Sequence, residues 1–135
     1  MTSCLRRFGI TLAFLGFASI LPATVGAQPP VYLTQWGSNG VGDGQFVDPG
    51  GVATDAAGNV YVSDVAVGRI QKFTGTGAYL TQWGTFGAGN GEFSSPIAVA
   101  TDAAGDVYVA DRGNQRIQKF TGMGSYLCRR PCKAA

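Results

Sequence analysis

One phrase of 47 residues is written twice in this chain. Tyr32-Leu-Thr-Gln-Trp-Gly37 returns as Tyr79 to Gly84, Ala53-Thr-Asp-Ala-Ala-Gly58 as Ala100 to Gly105, and Arg69-Ile-Gln-Lys-Phe-Thr-Gly75 as Arg116 to Gly122. Between 32–78 and 79–125, 30 of 47 positions are identical. A period in the range of about 20–50 residues confines a chain to repeat architectures, in which each copy is one supersecondary unit that buries its apolar face on the next. Tyr126-Leu127 opens the phrase a third time, and Cys128-Arg-Arg-Pro-Cys132 interrupts it.

Each copy reads as β structure. Val60-Tyr-Val62 and Val107-Tyr-Val109 are β-branched and aromatic runs, and segments around Gly51 to Thr54, Arg69 to Phe73 and Ala78 to Trp83 complete a set of four strands. Asp55-Ala-Ala-Gly-Asn59 and Asp102-Ala-Ala-Gly-Asp106 predict tight turns, where the Asp carboxylate accepts backbone N–H groups and glycine takes positive φ. Thr74-Gly-Thr-Gly77 and Thr121-Gly-Met-Gly124 predict a second turn of similar kind. Four short strands per repeat is the spacing of a propeller blade. The expected fold class is therefore all-β, with two four-stranded antiparallel β-propeller blades in an incomplete ring, preceded by a signal-peptide helix.

The wording of the repeat carries a resemblance. G-x-F-x-x-P, then V-A-T-D-A-A-G-[ND]-V-Y-V-[AS]-D, then R-I-Q-K-F and Y-L-T-Q-W-G closely resemble the NHL-repeat β-propeller family. Asp111-Arg-Gly-Asn114-Gln-Arg116 is similar to the stretch for which the family is named, with Gln115 in place of its usual histidine. The first copy departs further, because Val65-Ala-Val-Gly68 lacks the asparagine. The resemblance implies a ring of about six blades, of which this chain supplies two.

The segment before the repeats has a different character. Arg6 and Arg7 precede the uncharged stretch Phe8 to Leu21, and Val25-Gly26-Ala27 offers small residues for cleavage. This is the pattern of a secretory signal over 1–27, cut after Ala27. The alternative is an uncleaved N-terminal membrane anchor. Either way the rest is expected outside the cytoplasm, secreted or periplasmic. Residues 28–31 then form a linker, 32–127 the two repeats (32–78 and 79–125), and 128–135 a basic tail with Cys128 and Cys132. In an exporting context those two cysteines are a disulfide candidate, within the tail or between chains.

Charge and composition exclude several functions. The chain has 10 Lys+Arg, 8 Asp+Glu and no histidine. Missing histidine removes Ser-His-Asp and Cys-His catalysis and imidazole metal sites. Basic residues concentrate in the leader and tail, so the repeats lack the basic face of a nucleic-acid binder. Asp55 and Asp102 are expected to cap turns, and Asp64 and Asp111 to pair with Arg69 and Arg116, so no metal is assigned to these aspartates. Gly40-Val-Gly-Asp-Gly44 and Gly87-Ala-Gly-Asn-Gly91 lack the following helix that a phosphate loop needs and read as inter-blade loops. Trp36, Trp83, Tyr61 and Tyr108 read as fillers between blades.

The functional expectation is a secreted, non-catalytic binding or scaffold module without cofactor. Its ligand is a protein, peptide or glycan, met at the loop where the copies differ, through Arg112, Asn114 and Gln115. The alternatives are a truncated remnant without independent activity, a propeller lyase or lactonase, and an RNA-binding module. Blades normally pack both faces on neighbours, so leaving two faces wet costs free energy comparable to the stability of an ordinary domain. Self-association is the physical remedy, with three chains closing a six-bladed ring. A membrane partner is expected only if the leader stays attached.

Overall fold

A computed structural model describes residues 29–127. The expected leader and the tail with Cys128 and Cys132 lie outside the described residues. Nine strands are described: β1 (Ser38–Asn39), β2 (Gln45–Phe46), β3 (Pro49–Thr54), β4 (Val60–Asp64), β5 (Arg69–Phe73), β6 (Tyr79–Trp83), β7 (Pro96–Thr101), β8 (Val107–Asp111) and β9 (Arg116–Phe120). A single 3-10 turn at Arg112–Asn114 joins the last two. Among the described residues there is no α-helix, and no helix is long and apolar enough to cross a membrane.

The strands form two antiparallel meanders, β3-β4-β5-β6 and β7-β8-β9. These are β-propeller blades. The second sheet has the start of a fourth strand: Tyr126 bridges Phe120, as Tyr79 pairs with Phe73 in the first. The minor pairing is repeated too, since the parallel pair Asn39 with Phe46 has its counterpart in Phe86 with Phe93.

Local chemistry explains the turns. The Asp55 carboxylate accepts the N–H groups of Ala57 and Asn59, and Asp102 accepts those of Ala104 and Asp106. Such a cap satisfies turn donors that no strand can reach. The Thr74 and Thr121 turns are closed the same way, with Ala78 N–H and Ser125 N–H donating to the threonine hydroxyls.

The phrase Tyr32 to Gly37 behaves differently from its second copy. Its phase predicts an outer strand without a blade of its own, whereas residues 32–37 hold no strand. A strand needs a neighbour for its backbone groups, and among the described residues the sheet that Tyr79–Trp83 completes has no counterpart ahead of residue 38. Trp36 nevertheless keeps its station. Its ring lies 6.1 Å from Phe73, as Trp83 lies 5.9 Å from Phe120. Each indole also covers a glycine turn, where a Cβ on Gly77 or Gly124 would come within 2.7 Å of the ring.

The core lies between the two sheets. Tyr61 and Ile70 of the first meet Phe93, Val107, Val109 and Phe120 around the second, with Trp83 and Val99 packed against them. Tyr61 and Trp83 meet edge to face at 6.2 Å, a favoured geometry for aromatic pairs.

Candidate functional site

Four of the charged residues singled out in the repeats hold loops in place. Asp64, fully buried at the end of β4, accepts the N–H groups of Val47 and Asp48 and pairs with Arg69 at 3.4 Å. Arg69 in turn donates to the carbonyls of Val41, Gly42 and Gln45 and to Gln82 Oε1. Gln71 donates to the Gln45 carbonyl and accepts from Gly44 N–H. The glycine-rich loop before β3 is therefore stitched to β4 and β5 of the first sheet by one Asp, one Arg and one Gln.

The second copy repeats the clamp with Asp111, Arg116 and Gln118. Arg116 Nε donates to Asp111 at 3.0 Å, and its Nη2 reaches the carbonyls of Gly89 and Glu92. Burial works against ionisation of Asp111, but hydrogen bonds from Asn114, Ser94 N–H and Arg116 outweigh it and hold the carboxyl below its usual range. A buried carboxylate supplied with this many donors is a structural anchor.

The turn aspartates sit in a second recurrent cluster. For Asp55, burial again opposes the charge, and donation from Asn59 and Tyr61 with the Lys72 ammonium nearby outweighs it, so its carboxyl is lowered. For Asp102 the Asp106 N–H leads, the Tyr108 hydroxyl and Lys119 adding to it against burial, and its carboxyl is lowered as well. Tyr61 is pushed upward by burial and by the Asp55 carboxylate, which accepts a hydrogen bond from its hydroxyl. Among the described residues no three Asp, Glu or Cys side chains converge as a metal ion would need.

The three residues expected to make contacts are split by the structure. Asn114 is spent internally, donating to Asp111 Oδ2 and to the Gly87 carbonyl. Arg112 and Gln115 edge a concavity of about 430 Å³, with Ile97, Ala110 and Ile117 on its floor. Gln115 adopts φ 53°, the left-handed region, at the position that Gly68 fills in the first copy. A smaller hollow of about 140 Å³ continues past Ala98, Ala100 and Tyr108. The concavity is one open apolar face of the second sheet, rimmed by Arg112 and Gln115. Reading the loops for contact residues missed Ile97 and Ile117. The signal that could have found them is the repeat itself: Ile117 is the counterpart of Ile70 and Ile97 that of Gly50, so a face sealed in one copy stands open in the other.

The family model of the NHL repeat matches residues 46–73 and 93–120. No curated protein matches. Solved structures do match the chain, two of them as follows. One is regucalcin, a calcium-binding protein from Agrobacterium tumefaciens (15% identity, TM-score 0.48, 62% of this chain and 30% of that one). The other is a luciferin-regenerating enzyme (20% identity, TM-score 0.51, 63% of this chain and 30% of that one). The chain thus spans under a third of the length of either structure.

Proposed function

This chain carries two NHL repeats, and we propose that they form a non-catalytic binding module whose contact surface is the open face of the second blade. The observation that carries this reading is Ile117, 66% exposed where its repeat counterpart Ile70 is fully buried. An apolar sheet face that no described residue covers is a surface for protein. Arg112 and Gln115 supply a polar rim, the usual anatomy of a recognition patch. Support for a non-catalytic role comes from the aspartates and arginines of the repeats, which hold turns and loops. The module acts outside the cytoplasm if residues 1–27 are a leader, and an N-terminus at Gln28 on the purified protein is the check.

A photo-crosslinking side chain at position 117 tests the surface, with the exposed turn position Thr76 as control. In the host cell, position 117 is expected to form polypeptide adducts in clear excess over position 76. Equal labelling at both positions would overturn the reading.

A further inference from the structure

We infer that the open face of the second sheet docks the first sheet of another copy of this chain, head to tail, in the manner of the junction already present inside the chain. This rests on the binding reading above and supplies its partner.

The repeat provides an internal control. Inside the chain, Tyr61 and Ile70 on the leading face of the first sheet are sealed by Phe93, Val107, Val109 and Phe120. The second sheet has the same leading residues 47 positions on, Tyr108 and Ile117, and nothing described seals them. The covering surface is duplicated as well. Phe46, Val52, Val60, Val62 and Phe73 repeat, residue for residue, the set Phe93, Val99, Val107, Val109 and Phe120. Val52 is 67% exposed, whereas its counterpart Val99 packs on the core. One chain therefore presents both halves of an interface that it also contains intact.

The polar contacts have counterparts too. Across the internal junction, Lys72 Nζ donates to the Gly122 carbonyl at 3.0 Å and the Thr101 hydroxyl donates to the Thr54 carbonyl at 2.6 Å. In a junction between copies, Lys119 would meet the Gly75 carbonyl, and the Thr54 hydroxyl would meet the Thr101 carbonyl. All four groups recur by the same 47-residue offset.

The two faces differ along their first strand, where Gly50 and Gly51 are replaced by Ile97 and Ala98, and this tunes the contact. A Cβ on Gly51 would lie 2.6 Å from the Ala98 Cα and 2.9 Å from the Val99 nitrogen, so the internal junction admits only glycine there. The counterpart of Gly51 on the open face is Ala98, and that of Gly50 is Ile97. Backbone cannot yield as a flexible side chain does, so the Ala98 methyl holds an arriving strand further from β7. The junction between copies is wider at β7 than the one inside the chain, and weaker. A head-to-tail contact of this kind repeats until it closes into a ring or extends as a filament.

The test is sizing of the purified chain by sedimentation velocity across a concentration series, beside Ala98→Gly and Val52→Asp variants. The expected result is concentration-dependent association that Ala98→Gly tightens and Val52→Asp weakens, each by about tenfold or more. Val52 lies on the opposite end of the chain's blade pair from Ile117, so only head-to-tail docking makes both positions matter. Circular dichroism confirms that each variant stays folded, and Ala98→Gly keeps the test decisive if Val52→Asp does not. In a mixture of isotopically light and heavy copies, crosslinks from position 117 should land between 46 and 62 of the differently labelled copy. A monomer at every concentration, association indifferent to both substitutions, or crosslinks into residues 1–28 would overturn the inference. Adducts from position 117 to a different protein, with the chain monomeric, would overturn self-docking and leave the binding face standing.

Discussion

Asp111 receives Ser94 N–H, Asn114 Nδ2 and Arg116 Nε within 3.0 Å, and its carboxylate links loop, turn and β9. That concentration of donors has a consequence for acid stability. Asp55, Asp102 and Asp111 all have folded carboxyls held below the ordinary value of 3.8. The unfolded chain therefore binds protons more readily than the fold as pH falls, and protonation drives unfolding. Their contribution is complete above about pH 5 and is lost progressively as pH drops through about 4 toward the lower folded values. Melting temperature should be flat from pH 7 to 5 and fall steeply below 4, and Asp111→Asn should flatten part of that acid limb. A melting curve unchanged between pH 5 and 2 would contradict the anchoring role.

At the scale of elements, one strand sequence meets two environments. β5 and β9 are both Arg-Ile-Gln-Lys-Phe, yet every residue of β5 is buried while β9 alternates. The difference is the neighbour. Ile70→Ala removes side-chain volume from a sealed junction and should cost about 2–5 kcal/mol. Ile117→Ala, under conditions that keep the chain monomeric, should stay within about 0.5 kcal/mol of the parent. Chemical denaturation of both variants at low concentration is the measurement, and equal losses would show that the two sheets are not distinguished by burial.

The strands and turns of both copies were legible in the sequence, because β-branched runs and Asp-Ala-Ala-Gly turns act locally. The Asp64–Arg69 and Asp111–Arg116 pairs were legible for a related reason: five residues across a two-strand turn bring opposite charges level. Asn114 was not. It varies between the copies, which suggests contact, but its amide is consumed by Asp111 and Gly87. Variation reports that a loop has changed, not which way its side chains turn. The coil at Tyr32 to Gly37 was illegible too, since a strand exists only where a partner offers hydrogen bonds.

For the molecule as a whole, stability should decline from the junction outward. β4 and β5 are central in the first sheet and supply Tyr61 and Ile70 to the core. Their amides should exchange most slowly in hydrogen-exchange mass spectrometry, and those of β6 and the Tyr126 bridge much faster, in keeping with local opening where contacts are few. Uniform protection across both sheets would contradict a fold organised around one junction.

The sequence alone determined the period, the strands, the capped turns and the propeller class, all consequences of local propensity and of a phrase repeated at one fixed offset. Only the tertiary structure decided which of two equal faces is sealed and which is left open. Burial belongs to a residue and its neighbour together, so Ile70 and Ile117, identical in type and in local context, acquire opposite fates from what stands beside them.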